Sequence, residues 1–344
     1  LKPVDRVLAA LNHEEPDMVP CLWAVASGLR RLQESFGERL KTLQDLVGVG
    51  SIPETKPVEQ GSEHEVLESS FGDLHRVSYK VDYGYKELVK PAVSGPDGLE
   101  RLEEHTPKLS REHVKRIREA AEKNRDRFTF ISHESPFGLA AYSLRGFRQF
   151  LIDVVRSPRF AERVLSFGVK TLTEMARIIV EEAGIDAVWL SGDLGDRNGP
   201  FVSPRLYREI LYPFDREVCR TYHKLGVYVF LHSHGNLNPI LDELVEAGFD
   251  GLNPLDEAEN MNLASVKKRH GDKVTLIPQP STYRLEKMPK SLIEEYVSSQ
   301  LHAGAHGGGF IYYGVIVNMP VENAEEYVRA FLKLRNYPLK CCRR

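Results

Sequence analysis

Cysteine is scarce in this chain: four among 344 residues, Cys21, Cys219, Cys341 and Cys342. No C-x-x-C pair occurs, which excludes a disulfide framework and a zinc knuckle. Cys21 and Cys219 read as small buried hydrophobes, and Cys341-Cys342 belong to a basic tail, PLKCCRR. No apolar run approaches the ~20 residues of a membrane span. Residues 1–20 carry Glu14, Glu15 and Asp17, unlike a secretory leader. The expectation is a soluble, cytoplasmic protein with no membrane partner. The net charge is −3 and no long basic run is present, so there is no electrostatic footprint for nucleic acid. No G-x-G-x-x-G follows the first strand. Gly307-Gly308-Gly309 precedes a strand and reads as a turn, not a phosphate cradle. Internal repeats and low-complexity segments are absent.

What is present is organised around Val227–Gly251, VYVFLHSHGNLNPILDELVEAGFDG. A buried-strand run (Val227, Val229, Phe230, Leu231) stops at His232-Ser233-His234-Gly235. A helix then starts near Asn236 or Asn238, with Pro239 in its first turn and Ile240, Leu241, Leu244 and Val245 at helical spacing. Gly248 ends it and the next strand opens. A His-x-His pair thus sits at the carboxyl end of a strand and just before a helix, where α/β folds place their chemistry.

The same alternation runs through much of the chain. Val4, Val7, Leu8 and Leu11 make an N-terminal amphipathic helix, followed by a strand over 19–25 and a helix from Arg30 to Leu46. Residues 51–63 read as a loop. Residues 64–93 alternate aromatic or β-branched with polar residues (Val66, Phe71, Val77, Tyr79, Val81, Tyr83, Tyr85, Leu88) and predict a β-hairpin or meander insertion. Ser110 caps a charged helix. Strands follow at 128–132, 187–190, 227–231, near Leu252, at 274–277 and at 310–313. The helices between them include one opened by Ser157-Pro158 and stopped by Gly184, and one opened by Ser203-Pro204. Ser291-x-x-Glu294 reads as a capping box, and Val321–Leu334 as the last helix. With the 19–25 strand and one strand hidden within 30–90, about eight βα units result. That count predicts a (β/α)8 TIM barrel, a single domain over 1–344 with an insertion at about 64–93. An open doubly wound sheet is the competing architecture.

In a barrel, side chains just past the strands converge on one mouth: Glu134, Asp193, His232, His234, Asn253, Gln279, and Tyr312 or Tyr313, one of which must point inward. His232 and His234 lie two apart and point to one side of an extended segment. Two neutral imidazoles so placed can ligate Zn2+ at about 2.0–2.1 Å, or they are loop histidines bonded to backbone. Glu134 and Asp193 are the oxygen ligands at hand; Asp193 equally suits an ion pair with Arg197 or a turn cap. Trp23 and Trp189 read first as core.

From VDRVLAALNHEEPD through the insertion's FGDLHR and HKLGVYVFLHSHGNLNPILDELVEAGFDGLNP to PVENAEEYVRAF, the chain resembles the uroporphyrinogen decarboxylase-like superfamily. The zinc- and corrinoid-dependent methyltransferase branch is the nearer likeness. That branch carries His-x-Cys-Gly where this chain has His232-Ser233-His234-Gly235, and a second cysteine after the strand that here reads GGGFIYYG. Both cysteines are missing, so the resemblance points away from thiol (coenzyme M) methyl transfer. It points toward methyl transfer from a small donor to cobalt(I), with a methoxy aromatic (O-demethylation, a one-carbon pathway) as the leading case. The decarboxylase itself carries an RQAGRY-like arginine segment after the first strand, where this chain has CLWAVASGLRRL. The resemblance implies Zn2+ on His232 and His234 with Asp193 or Glu134, and cobalamin on a corrinoid partner protein. The implied catalytic residues are Asp193, Glu134 and Tyr312, and the implied substrate-binding residues Asn253, Gln279, Tyr313 and Trp23. A homodimer is left open.

Overall fold

The computed structural model describes residues 1–25, 30–78 and 86–339, with side chains throughout except 30–35. Cys341, Cys342, Tyr79, Val81, Tyr83 and Tyr85 lie outside the described residues, as do the side chains of Arg30 and Arg31. The chain divides into two compact units, Leu1–Val47 with Asp126–Phe128 and Asp250–Arg344, and Gly48–Arg125 with Thr129–Phe249. Among the described residues no helix is long and apolar enough to cross a membrane.

The second unit is built on three parallel neighbours, Phe128–Glu134, Ala187–Ser191 and Tyr228–His232. Their continuous apolar runs suit strands covered on both faces. Register sets Glu134 opposite Ser191 and Ser191 opposite His232. The carboxyl ends of the three strands therefore finish level. The helix Pro158–Ala183 buries Val164, Phe167, Leu172, Met175 and Ile179, the face its periodicity predicts. Gly184 ends it at φ 64, a left-handed conformation in which a Cβ is penalised. Ser110 and Ser203 cap their helices through their hydroxyls, as expected.

The strand hidden within 30–90 is Leu46–Ser51. Gly48 and Gly50 concealed it, since neither contributes to an apolar pattern. Both are needed for packing: a Cβ on Gly50 would come within 2.6 Å of Ile117, and one on Gly48 within 3.2 Å of Phe130. The insertion is a four-stranded antiparallel sheet of Thr55–Gln60, His64–Ser69, Leu74–Ser78 and Lys86–Lys90. Its first strand falls where the sequence predicted a loop. That strand is exposed along its whole length and contains Pro57. It pairs at a sheet edge through its backbone and through polar side chains (Lys56 with Glu68, Glu59 with His64), so no apolar alternation announces it.

In the first unit Cys21–Val25 pairs in parallel with Tyr312–Ile316, and Gly251–Asn253 with Thr275–Leu276. The last strand thus begins two residues later than the apolar run suggested; Phe310 makes only an isolated bridge to Leu276. The capping-box reading at Ser291 fails. The helix Lys290–Gly304 starts two residues earlier than that box requires, with Pro289 at its cap, and Ser291 lies inside the first turn. A buried ionic knot ties the N-terminal helix to the end of the chain. Asp45, 2% exposed, takes bonds from Arg6 and Arg335 and from the backbone N–H of Cys21.

Candidate active site

The candidate site stands where the three level strands of the second unit end. Beyond Glu134, Ser135 caps the short helix Pro136–Leu139 by accepting from the N–H of Gly138. Beyond Ser191, the chain passes through Gly192 to Asp193. Beyond His232, it continues through Ser233 and His234. These loops are laced together: the Ser135 N–H donates to the carbonyl of Ser191 (2.6 Å) and the Gly192 N–H to that of His232 (3.1 Å). Asp193 Oδ1 accepts from the backbone N–H of His234 (2.9 Å), and Ser233 Oγ from that of Leu194 (2.9 Å). Asp193 thus ties its own loop to the one that carries His234, a bond across 41 residues and not a cap of the turn that follows it.

Glu134 is held differently. No hydrogen bond or ion pair engages its carboxyl among the described residues. Burial pushes it up to about 7; Lys86 opposes the shift, and the negative charges of Asp193 and Asp73 add to it. Gly138 makes room for it, since a Cβ there would fall 2.6 Å from Glu134 Oε2 and 2.4 Å from the Ser191 carbonyl. A carboxyl that keeps its proton near neutrality and spends it on no internal partner is a proton donor in waiting.

Two neighbours complete the setting. His133 Nδ1–H donates to the carbonyl of Glu134 (2.7 Å), so Nε2 accepts from the Tyr222 hydroxyl. Burial pushes this imidazole down to about 4, which makes it a neutral brace behind Glu134. Tyr142 donates its hydroxyl to the carbonyl of Asp193 (3.1 Å). Burial, with the charges of Asp193 and Glu134, raises its phenol above the ordinary value. Tyr142 escaped sequence reasoning. It rides on a π-helical turn, Ala140–Leu144; such turns concentrate at functional sites but leave no mark in hydrophobic periodicity.

A family model described as uroporphyrinogen decarboxylase (URO-D) matches residues 74–334, well over half of the chain. The chain belongs to the uroporphyrinogen decarboxylase family. A uroporphyrinogen decarboxylase from Aliivibrio salmonicida is 26% identical over 215 residues, 58% of this chain and 57% of that protein. The chain thus aligns with little over half the length of that relative. Among solved structures, a methyltransferase from Methanosarcina mazei superposes with a TM-score of 0.68 at 18% identity, covering 97% of this chain and 99% of that one. The fold is the TIM barrel of the uroporphyrinogen decarboxylase family.

Within this family member, the remaining candidates divide. Asn253 is 3% exposed and donates to the Ile277 carbonyl (2.7 Å) at its strand end. Gln279, just past its strand, and Tyr313, near the start of the last strand, are half-buried. Tyr313, and not Tyr312, is the tyrosine that alternation turns away from the helix layer. The assignments of Tyr312 as catalytic and Trp23 as substrate-binding are corrected. Tyr312 is 0% exposed, stacks on Phe331 at 4.4 Å and faces Tyr327. Trp23 packs edge-on against the same two helix residues at 5.1 and 5.6 Å. Both side chains fill the layer between strand and helix, where a substrate does not reach.

The histidines meet each other as expected from their spacing, with ring centroids 5.0 Å apart and planes at 82°. A metal centre needs more. Among the described residues no three His, Cys, Asp or Glu side chains converge on a position that could hold an ion. Asp193 is turned to the His234 backbone. The set His232, His234, Asp193 and Glu134 expected for Zn2+ is therefore not assembled, and the side chains present do not fit a four-ligand zinc site.

Proposed function

We propose that this family member transfers a methyl group from a small methylated donor to the cobalt(I) of a separate corrinoid protein, with an aryl methyl ether as the leading donor. The observation that supports the reading is Glu134: a half-buried carboxyl pushed up to about 7, without a hydrogen-bond partner among the described residues, at the level ends of three strands. An ether oxygen is a poor leaving group and departs more easily if protonated as its bond to carbon breaks. The corrinoid supplies the electron pair that bonds to the methyl carbon. The carbon–oxygen pair stays on oxygen, which takes the Glu134 proton and leaves as a neutral hydroxyl compound; the Glu134 carboxylate recovers its proton from water. Asp193, fixed by the His234 N–H, and the Tyr142 hydroxyl, fixed on the Asp193 carbonyl, hold the loop that faces this exchange. No step is routed through zinc. The likeness in fold to the Methanosarcina mazei methyltransferase agrees with this class of reaction.

The test is a mixture of the purified chain, an aryl methyl ether and a cobalt(I) corrinoid protein, followed by the corrin absorption spectrum. Conversion to methyl-cobalt and release of the phenol are expected, and neither occurs if any component is omitted. The similarity to a uroporphyrinogen decarboxylase favours decarboxylation as the second reading. Carbon dioxide released from a porphyrinogen by the isolated chain would establish that reading and overturn the first.

A further inference from the structure

Beside Asp193 the second unit gathers four aromatic rings. Tyr142 and Phe147 lie parallel, planes at 6° and centroids 5.8 Å apart. Phe201 meets Phe147 edge-on at 4.9 Å. Phe137 stands edge-on to Tyr142 at 6.2 Å and to Phe147 at 6.4 Å. Phe137 is buried, at 1% exposure, and anchors the group. Tyr142, Phe147 and Phe201 each keep part of their surface open. Contiguous, partly open aromatic surface of this kind marks a binding site more often than a core. Its position is also fixed: the Tyr142 hydroxyl is bonded to the Asp193 carbonyl, so the ring cannot turn without breaking that bond. Asp193 lies two residues beyond Ser191, which is level with Glu134 in the sheet.

The arrangement selects among ligands. Rings whose faces converge on one point hold a cation. Here Tyr142 and Phe147 are parallel and offset, and Phe201 stands perpendicular to Phe147, so the faces do not converge on one point. Two rings in an offset stack are extended by a third flat ring laid parallel to them. We propose that Tyr142, Phe147 and Phe201 form the subsite for the aromatic ring of the methyl donor, with Tyr142 as the residue that sets specificity for aryl over alkyl methyl ethers. The assignment rests on the methyl-transfer reading for its chemistry, but ring binding is measurable without any transfer.

The experiment is calorimetric titration of the isolated chain, with no corrinoid present, using 2-methoxyphenol, cyclohexyl methyl ether and tetramethylammonium. Saturation-transfer NMR on the 2-methoxyphenol ring protons accompanies it. The wild-type chain is expected to bind 2-methoxyphenol, with strong transfer to the ring protons, and the other two at least about tenfold more weakly. Tyr142→Ala and Phe147→Ala should each weaken binding about tenfold, while Tyr142→Phe, which keeps the stack, restores it. Phe201→Ala, at a partly open position, serves if the other two alanine variants fail to fold. No binding of the aryl ether by the wild-type chain, tighter binding of tetramethylammonium, or undiminished binding by the folded alanine variants would each overturn the assignment. Binding as expected, with no methyl transfer in the complete mixture, would leave the ring subsite standing and remove the methyl-transfer reading. Transfer from an alkyl ether, with no aryl binding, would do the reverse.

Discussion

Replacing Glu134 with Gln should make the protein more stable and less active, and the pH dependence of the stability gain can be worked out beforehand. Glutamine keeps the size of the side chain and removes its titration. The folded carboxyl is pushed up to about 7, against an ordinary value of 4.5. While both folded and unfolded states are protonated, below about pH 4, the residue contributes no pH-dependent difference. As pH rises the unfolded chain ionises first, and stability is lost progressively until the folded carboxyl ionises too. The wild-type chain should therefore fall behind Glu134→Gln by about 1 kcal/mol near pH 5, about 2 near pH 6 and about 3 near pH 8, where the difference levels off. Urea unfolding of both chains at these pH values reads the difference directly, and other titrating groups cancel in the comparison. The same substitution should slow methyl transfer by roughly 10²–10⁴ and abolish a rate decline above about pH 7, as expected for a lost proton donor. A stability difference that does not change with pH, or a variant less stable than wild type near pH 8, would refute the account of Glu134 as a carboxyl kept protonated by burial.

Two further outcomes are expected. Asp45→Ala should cost about 3–5 kcal/mol in urea unfolding, because it leaves Arg6 and Arg335 as buried cations without their shared partner; a loss below about 1 kcal/mol would mean that water reaches the knot. Zinc added to the chain should be removed by dialysis, since among the described residues no third His, Cys, Asp or Glu converges with the two imidazoles. One Zn2+ per chain surviving dialysis, and lost in His232→Ala, would show that a further ligand is recruited.

Much of this was legible before any coordinates. The strand–loop–helix rhythm around His232-Ser233-His234-Gly235, the glycine stops at Gly184 and Gly248, and the placement of Glu134 and Asp193 just past strands all follow from periodicity and turn chemistry. These signals are local, carried by residues a few positions apart, and the chain prints them directly. The exposed edge strand Thr55–Gln60 and the glycine-bearing strand Leu46–Ser51 were not legible in the same way. Backbone pairing and the space left by a missing Cβ do not appear in a hydrophobic pattern.

The sequence by itself determined which residues reach the ends of the strands. Only the tertiary structure decided what each does there. It bonded Asp193 to the His234 backbone. It buried Tyr312 and Trp23 against the last helix, and it left the Glu134 carboxyl partly desolvated and without a hydrogen-bond partner among the described residues. It also brought Tyr142, Phe147 and Phe201 together from positions up to 59 residues apart. The physical reason is that a side chain's chemistry depends on burial, on neighbouring charge and on which donors already engage it. All three are set by segments distant in sequence, and no window along the chain contains them.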